Sequence, residues 1–401
     1  MEWTVSMVRR VLAQFRRKTP NAQRRTPNVE FSSRVAWHVC ISSLDVGRWA
    51  LDVFRLNTAL AELIRQTIRA HGPQSFAWFM QQALYHPEHG YYSSGRCAIG
   101  RKGDYFTNVS VGPLFGHLLG AQFAEIWERL GKIKNFVIVD QGAHDGQFAR
   151  DVLESLQKRA PEFFEALRYR IVESFPILRE RQSQTLKLFR DKIEWCDSLQ
   201  HFVGVHFSNE LMDAMPVRLI GGGRERFVGL DGDKFVFVDR PVHDEANFNQ
   251  AALDWIDSVA ANLQRGYVIT IDYGHLGGEF HGNIQVRAQH RNLDSPFEQI
   301  GHADITMGVD WTSVADRAQS NGMRVAGFTD QHHFLTGIIS ESPELTPESD
   351  AKIKRELQTL LHPEMLGRAF QVLGLTKDLE LDAPPLAGFK FARESIIAAD
   401  N

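Results

Sequence analysis

Two acidic residues and an amide follow one apolar run of the sequence at a spacing that suits a cationic ligand. The segment SNELMDAMPV places Asn209, Glu210 and Asp213 directly after the apolar residues GVHF. A pair of carboxylates binds a planar guanidinium through parallel hydrogen bonds, which orients it and provides an acceptor for its proton. Because residues three apart share one side of a helical turn, the two carboxylates converge if a helix begins there. These three residues are therefore candidate catalytic residues; alternatively, Asp213 caps a helix and Glu210 faces solvent.

A turn with two glycines follows an earlier apolar run and is typical of a nucleotide site. In VIVDQGAHDG the run ends at Asp140 and is followed by Gly142, His144 and Gly146. A glycine after a strand allows a sharp turn, and a second one before the helix lets backbone approach a ligand closely. The next run ends in Glu173, where a carboxylate accepts hydrogen bonds from ribose hydroxyls. An ordinary strand-to-helix turn is the alternative, and NAD enzymes show the same turn and acid as S-adenosylmethionine enzymes.

The histidines of the second half lack the paired spacing of a metal site. The candidates are His281, His290, His302, His332 and His333. Isolated surface histidines are commoner than metal ligands. Asp304 and Asp310 lack the glycine-centred oxygen pattern of a calcium loop, so a structural use is expected for them. We therefore expect no metal.

The apolar runs alternate with segments of helical periodicity. Runs that end in Asp140, Glu173, Glu210 and Asp272 are predicted strands, and predicted helices separate them. This alternation predicts an α/β fold with a Rossmann-like, doubly wound, mainly parallel sheet. Ligands of such folds bind at the carboxyl ends of the strands. Asp272 and the following Tyr273 are therefore expected near the substrate, although Tyr273 in the core is an equal alternative.

Further segments flank this core on both sides. Two short helices around Gly72-Pro73, a glycine-rich loop and a helix from about Pro113 to Leu130 precede it. Weak periodicity predicts a long functional loop over residues 275–310. A helix and a strand then return to the sheet, residues 338–373 are predicted to be helical, and LAGFKFARE is a candidate last strand. The predicted divisions are a basic extension (1–56) and a folded domain (57–401) made of N-terminal helices and loop (57–130), sheet core (131–335) and C-terminal addition (336–401).

Composition places the chain among globular proteins. Its 401 residues are 43% hydrophobic and 23% charged, with a formal net charge of −4, so no strong overall field favours nucleic acid or an anionic membrane. The sequence contains no run of about 18 apolar residues that would span a membrane. Cys40, Cys97 and Cys196 match no zinc or redox spacing and favour a reducing compartment.

The first 56 residues differ from the rest in charge. No acidic residue lies between Glu2 and Glu30, and apolar residues recur there at helical spacing between basic ones. The basic residues are Arg9, Arg10, Arg16, Arg17, Lys18, Arg24 and Arg25. This pattern is similar to an organellar transit peptide or a surface-seeking amphipathic helix. An extension with little structural role is the competing interpretation.

Several segments together resemble one family. In chain order they are FMQQALYHPEHGYY, IGRKGDYFTN, LFGHLLG, IVESFPILRERQ, SNELMDAMPV, IDYG and GHADITMGVDW. Over roughly residues 57–397 they resemble the MidA-like methyltransferases, which in animals include a mitochondrial arginine methyltransferase of complex I assembly. The resemblance implies a class I methyltransferase fold with S-adenosylmethionine as cofactor. It also implies that Gly103, Asp104 and Thr107 lie at the cofactor, with a plain turn capped by Asp104 as the alternative.

The chain departs from the family pattern at two places. After GDYFT the family usually continues with alanine-proline-glutamate, whereas this chain has Asn108, Val109, Ser110 and Val111. The family also usually has glycine where His144 stands. Backbone N–H groups do most of the cradling of a nucleotide, so neither change removes the site. Both changes leave room for weakened or altered activity.

These features predict a methyltransferase that acts on a protein side chain, arginine if the family activity transfers. A scaffolding or assembly factor that retains the fold is the alternative from another class. An NAD-dependent oxidoreductase is disfavoured because no hydride-site motif accompanies the turn. The expected location is the cytoplasm, or the mitochondrial matrix if the basic extension is a transit peptide. No nucleic-acid partner is expected, and the oligomeric state is open.

Overall fold

The computed structural model describes residues 59–97, 107–242, 248–277, 284–289, 291–347, 349–379 and 384–392. The predicted basic extension (1–56) lies outside the described residues, as do Gly103 and Asp104. None of the described helices is long and apolar enough to cross a membrane.

The strands are numbered in chain order. They are β1 (Gln74–Ser75), β2 (Phe136–Gln141), β3 (Leu167–Val172), β4 (Ile193–Cys196), β5 (Phe202–Asn209), β6 (Leu219–Gly221), β7 (Arg224–Asp231), β8 (Lys234–Pro241), β9 (Leu263–Asp272), β10 (Gly274–His275), β11 (Gln285–Ala288), β12 (Arg291–Asn292), β13 (Asp304–Thr306), β14 (Val309–Asp310), β15 (Arg324–Asp330) and β16 (Gln371–Lys377).

The α-helices include all those expected before and within the sheet core. They are α1 (59–71), α2 (Phe76–Tyr85), α3 (Asn108–Val111), α4 (Leu114–Arg129), α5 (Gln147–Arg159), α6 (Pro161–Ala166), α7 (Pro176–Thr185), α8 (Gln250–Asn262), α9 (Trp311–Ser320), α10 (Gln331–Glu341) and α11 (Ala351–Leu361). Short helical turns of other types cover Lys187–Lys192, Pro343–Leu345, Pro363–Gly367 and Ala387–Phe389.

Seven strands form the central sheet in the order β15-β16-β9-β5-β2-β3-β4. From β9 to β4 the strands are parallel, and β16 is antiparallel to both of its neighbours. The chain moves outward from β2 to β3 and β4, then returns to β5 and β9 on the other side of β2. The predicted doubly wound, mainly parallel α/β sheet is confirmed. Its strand order reverses between β2 and β5, which is where such folds bind ligands.

Each face of the sheet carries its own hydrophobic cluster, because successive side chains of a strand point to opposite sides. On β2, Phe136 and Ile138 pack with residues of α4 and α5. Val137 and Val139 pack on the other face with residues of α8 and α9. Helices therefore cover both faces, and a strand between them such as β2 is apolar from Phe136 to Val139. This continuity is the pattern from which the strands are predicted.

A second, antiparallel sheet lies between β5 and α8, where the sequence analysis predicts no strands. In it β7 pairs with β1, β6 and β8. The β7–β8 hairpin turns at Asp231 and Lys234, with Gly232 at φ 59°. An Asp-Gly pair between alternating apolar residues is a strong hairpin signal. The segment FVGLDGDKFVFV therefore contains a sequence signal for the β7–β8 hairpin. Residues of this sheet pack against α1 and α2 in a third hydrophobic cluster.

Two predictions for residues beyond β9 are wrong in part. The described residues of 275–310 are not a single loop: β11 pairs with β12 and β13, and β10 pairs with β14. The end of the predicted helical stretch 338–373 belongs to β16, which lies inside the central sheet. Its apolar run is buried in the hydrophobic clusters on the two faces of the sheet. A short apolar run of this kind suits either a buried strand or a helix, so periodicity alone does not separate them.

The prediction of a last strand at LAGFKFARE is also wrong within its described residues, which contain the helical turn Ala387–Phe389. Phe389 lies across β15 and β16. A Cβ atom on Gly327 or Gly374 would come 2.3 Å from atoms of its ring. The segment therefore crosses over the sheet instead of extending it.

Candidate active site

A cavity of about 400 Å³ lies at the carboxyl ends of β2, β3 and β5, where the strand order reverses. Its lining includes Thr107, Asp140, Gly142, His144, Glu173, Asn209 and Glu210, which are five predicted cofactor residues and two predicted catalytic ones. Gly146 directly precedes α5 and is not part of the lining. The volume lies within the range of sites for ligands of drug-like size.

The turn after β2 places three residues in the left-handed region of backbone space. The φ angles are 86° at Gly142, 47° at His144 and 82° at Gly146. A side chain in this region costs roughly 1–2 kcal/mol, and histidine tolerates it better than most residues. This explains why glycine suits the position of His144 and why the turn still forms with histidine. The His144 carbonyl oxygen accepts a hydrogen bond from Gln182 Nε2 at 2.9 Å.

Asp140, at the end of β2, has only 2% of its surface exposed. Its Oδ2 accepts a hydrogen bond from the Tyr169 hydroxyl at 2.8 Å. Burial raises the pKa of Asp140 to about 7, and the Tyr169 hydrogen bond opposes the rise. Because Tyr169 belongs to β3, this pair ties two neighbouring strands together beneath the cavity.

Glu173 follows β3 and lines the same cavity. Its Oε1 accepts from the Phe175 N–H at 2.9 Å, and its Oε2 accepts from Gln182 Nε2 at 3.3 Å. Burial raises the pKa of Glu173. A carboxylate has about four acceptor sites, so capacity remains for two ribose hydroxyls. Gln182 connects Glu173 to the glycine turn and is a site residue that is not predicted from sequence, although it ends the segment IVESFPILRERQ.

A second cavity, of about 380 Å³, shares Glu210 and Tyr92 with the first. Asp213, Asp304 and Arg287 also line it. Among the described lining residues, three carboxylates therefore face one guanidinium. The Tyr92 hydroxyl donates to Asp304 Oδ1 at 2.7 Å. The structural use expected for Asp304 does not anticipate this place beside Glu210 and Asp213.

Glu210 lies where the two cavities meet. It adopts φ 54°, and its Oε1 accepts from Asn209 Nδ2 at 2.8 Å and from the Asn108 N–H at 3.3 Å. Burial and then the charge of Asp213 raise the pKa of Glu210 to about 8. Burial also raises the pKa of Asp213 to about 6, against a hydrogen bond from Tyr273. Both carboxyl groups are thus poised to ionise when a cation approaches.

No helix begins at Glu210, so the predicted reason for convergence of the two carboxylates is wrong, and so is the alternative of Asp213 as a helix cap. Residues 210–216 form an irregular turn. Asp272, at the end of β9, shapes it: Oδ2 accepts from the N–H groups of Leu211, Met212 and Asp213 at 3.1, 2.9 and 3.2 Å. Asp272 therefore supports the site from below, whereas Tyr273 lines the second cavity.

A match to a family model shows which family of enzymes this chain belongs to. The model described as "Putative S-adenosyl-L-methionine-dependent methyltransferase" matches residues 118–329, more than half of the chain. The chain belongs to this family. The resemblance to methyltransferases is confirmed, and S-adenosylmethionine is the cofactor.

Relatives and solved structures agree with this assignment. The Drosophila melanogaster "Protein arginine methyltransferase NDUFAF7 homolog, mitochondrial" is 25% identical over 82% of this chain and 88% of its own. The human NDUFAF7 protein, named in the same way, is 25% identical over 79% of this chain and 83% of its own. A Burkholderia thailandensis protein solved with bound S-adenosyl-homocysteine has 28% identity and a TM-score of 0.78, covering 86% of this methyltransferase and 97% of that chain.

The residues of the first cavity suit this cofactor. Glu173 retains acceptor capacity for hydroxyl groups, and the turn from Gly142 to Gly146 brings backbone to the cavity wall. In the part of the chain that the structure describes, no group of three or more His, Cys, Asp and Glu side chains is arranged to hold a metal. His281 and His290 lie outside that part, so the expectation about metals stays a prediction.

Proposed function

We propose that this methyltransferase transfers the methyl group of S-adenosylmethionine to a guanidinium nitrogen of arginine in a protein substrate. The observation that carries the proposal is the carboxylate-lined second cavity, which shares Glu210 with the first. Glu210, Asp213 and Asp304 together provide acceptors for several N–H groups of a planar cation. The relatives named protein arginine methyltransferases support the same substrate class at 25% identity.

We assign the cofactor to the first cavity, which contains most of the cofactor residues predicted from sequence. Glu173 receives the ribose hydroxyls, and Gly142, His144 and Gly146 form the turn beside the cofactor, braced by Asp140 below. Thr107 closes the wall that adjoins Glu210. Gly103 and Asp104 keep their predicted role in the same loop, outside the described residues.

The chemistry is an in-line displacement that needs little beyond positioning. When bound, S-adenosylmethionine supplies an electrophilic methyl group, and its sulfonium leaves as a thioether. Glu210 and Asp213 hold the guanidinium so that one nitrogen points toward the first cavity. As that nitrogen forms its bond to carbon, it loses one proton, which a carboxylate of this pair accepts and passes to solvent. Asn209 holds Glu210 in place through its amide N–H.

A cation in the second cavity also changes the charge state of its walls. Burial raises the pKa of both Glu210 and Asp213, and the charge of Asp213 adds to the rise at Glu210. A guanidinium between them favours the ionised forms and lowers both pKa values. A cationic substrate is thereby selected over a neutral one of similar shape.

We place the protein in mitochondria. The names of the relatives include the word mitochondrial. The basic, acid-free stretch at residues 3–29 also has the composition of a transit peptide. The expected cytoplasmic location has no support from the relatives. The substrate is accordingly proposed to be a mitochondrial protein.

The test uses Glu210→Gln and Asp213→Asn, measured separately for cofactor affinity by calorimetry and for transfer of labelled methyl groups into a proteome lacking the enzyme. We expect transfer to fall on the order of a hundredfold in each variant, because a displaced nucleophile loses about that much in rate. Cofactor affinity should stay within about threefold. Asp231→Asn, on the exposed β7–β8 turn, is the matched control and should transfer normally.

Three outcomes would change the proposal. Undiminished transfer in both variants removes these carboxylates from the active site. Loss of cofactor affinity assigns them to the cofactor cavity. Wild-type protein that binds S-adenosylmethionine but labels no arginine favours the assembly-factor alternative, which keeps the fold without turnover.

A further inference from the structure

Three side-chain amides form a chain of hydrogen bonds that ends on Glu210. Gln331 Nε2 donates to Asn108 Oδ1 at 2.8 Å, Asn108 Nδ2 donates to Asn209 Oδ1 at 2.9 Å, and Asn209 Nδ2 donates to Glu210 Oε1 at 2.8 Å. Gln331 and Asn108 are fully buried. The chain therefore runs through the protein interior from α10 to the junction of the two cavities.

The direction of this chain is fixed at its inner end. Gln331 Nε2 also donates to the Leu360 carbonyl oxygen at 3.1 Å, and a carbonyl oxygen can only accept. The Gln331 amide therefore cannot be turned around without placing two oxygens together. Asn108 must then offer its oxygen to Gln331 and its N–H to Asn209, which in turn must offer its N–H to Glu210.

The outer end of the chain leaves the two oxygens of Glu210 unequal. Oε1 accepts from both the Asn209 side chain and the Asn108 backbone. Among the described residues, none donates a hydrogen bond to Oε2. The backbone of Asn108 is itself held by a reciprocal cap, in which Thr107 and Ser110 bond to each other's N–H groups. Both donors to Oε1 thus come from rigid positions.

We propose that Asn108 and Gln331 are positioning residues, which hold Glu210 through Asn209 so that Oε2 alone faces the substrate and takes up its proton. The proposal rests on the proposed function for the role of Oε2, but the orientation of Glu210 is independent of it.

Other ionisable groups also face Glu210 and must be controlled for. They are Asp213 on the same turn, Asp272 at the end of β9, Asp304 on β13, Arg287 on β11 and Tyr92 before α3. Each of these stays in place in the variants described next. The contribution of Glu210 is isolated by making every variant both with Glu210 and with Glu210→Gln.

The first measurement is the melting temperature between pH 5 and pH 9, which needs no substrate. Because the pKa of Glu210 is raised in the folded state, the native protein binds this proton more tightly than the unfolded one. Its stability therefore falls as the pH rises from the unfolded pKa to the folded pKa. Asn108→Ala releases the Asn209 amide, so the ionised carboxylate loses a donor and the midpoint of this fall should move up by about half a pH unit or more.

Ser208→Ala is the matched control. It removes another buried hydrogen bond of β5, the 2.8 Å bond to Thr270 Oγ1, without touching the amide chain, and should leave the midpoint in place. Gln331→Met, which removes the inner donor, should shift the midpoint in the same direction as Asn108→Ala. It provides a second reading if Asn108→Ala folds poorly.

The second measurement is the pH profile of methyl transfer. Asn108→Ala should lower kcat about tenfold and shift the acidic limb of kcat/KM upward, with KM for the cofactor unchanged. Midpoints equal to wild type in both Asn108→Ala and Gln331→Met would overturn the proposal. A shifted midpoint in a protein that methylates no arginine would keep the positioning role and reject the proposed function.

Discussion

Glu210 combines a left-handed backbone with a buried carboxyl group, two features that each cost folding free energy. Such costs persist where the surrounding structure compels them, and here two N–H donors and the turn built on Asp272 do so. The raised pKa shows that the protein disfavours the charged form of Glu210, and a nearby cation favours that form. Binding of a cation and release of a proton are therefore coupled at this residue.

The backbone conformation of His144 leads to a prediction about stability. The residue sits at φ 47°, so His144→Ala and His144→Gly lose the same imidazole contacts but differ in a Cβ atom. The glycine variant should be more stable than the alanine variant by about 1 kcal/mol in urea unfolding, since glycine has no penalty there. At Ala149, within α5, the order is reversed, and Ala149→Gly should destabilise. Equal stabilities of the two His144 variants would contradict the assigned strain.

The site residues that follow strands are predictable, and those that support them are not. Glu173, Glu210 and Asp213 stand in short segments whose neighbours in sequence identify strand ends. Gln331 reaches Asn108 across 223 residues of sequence, and no local pattern records which distant side chains a fold brings together. Periodicity likewise gives no distances, so the role of Asp272 in shaping the turn is visible only in three dimensions.

Among the elements, β16 packs closely against the ring of Phe389. A Cβ atom on Gly374 would lie 2.3 Å from the Phe389 ring, so Gly374→Ala should destabilise the protein by roughly 1–3 kcal/mol through overpacking. Gly221→Ala on β6, where no atom lies within 4 Å, is the control and should change stability by less than about 0.5 kcal/mol. Chemical denaturation measures both.

A second substitution, at Phe389, tests whether a clash with its ring causes the loss of stability in Gly374→Ala. Phe389→Leu shortens the side chain over β16 and should recover part of the stability lost in Gly374→Ala. Additive losses in the double variant would show that the two residues do not compete for the same space.

The elements also differ in how well sequence predicts them. A strand covered on both faces, such as β2, gives an uninterrupted apolar run that is easily recognised. The strand β16 gives a similar run, but it directly follows two helices, α10 and α11, so the order of elements favours a continued helical stretch. Its pairing with β9 and β15 is decided by contacts across the sheet, which sequence order does not specify.

At the scale of the whole molecule, we propose that the folded methyltransferase domain begins near residue 57. Leu60, Ile64 and Ile68 of α1 are already buried in a hydrophobic cluster. Removal of residues 1–56 should leave cofactor affinity and melting temperature nearly unchanged, because the basic composition of the chain before α1 is that of a terminal extension outside the folded core. The truncated protein should fail to enter mitochondria, as followed by fractionation. A large fall in melting temperature would contradict the boundary, and unchanged import would contradict the transit role.

The position of β16 has a consequence for how the molecule is made. This strand pairs with β9 and β15 along both of its sides, yet it follows both of them in the chain. A ribosome releases the N-terminal parts first, so β9 and β15 emerge with open edges that can attract other strands. The same order holds for a chain threaded N-terminus first through a translocation pore. The gap in the sheet can close only after residues 371–377 have been released. A stalled or C-terminally shortened chain therefore exposes two unpaired strand edges, to which chaperones or other strands can bind.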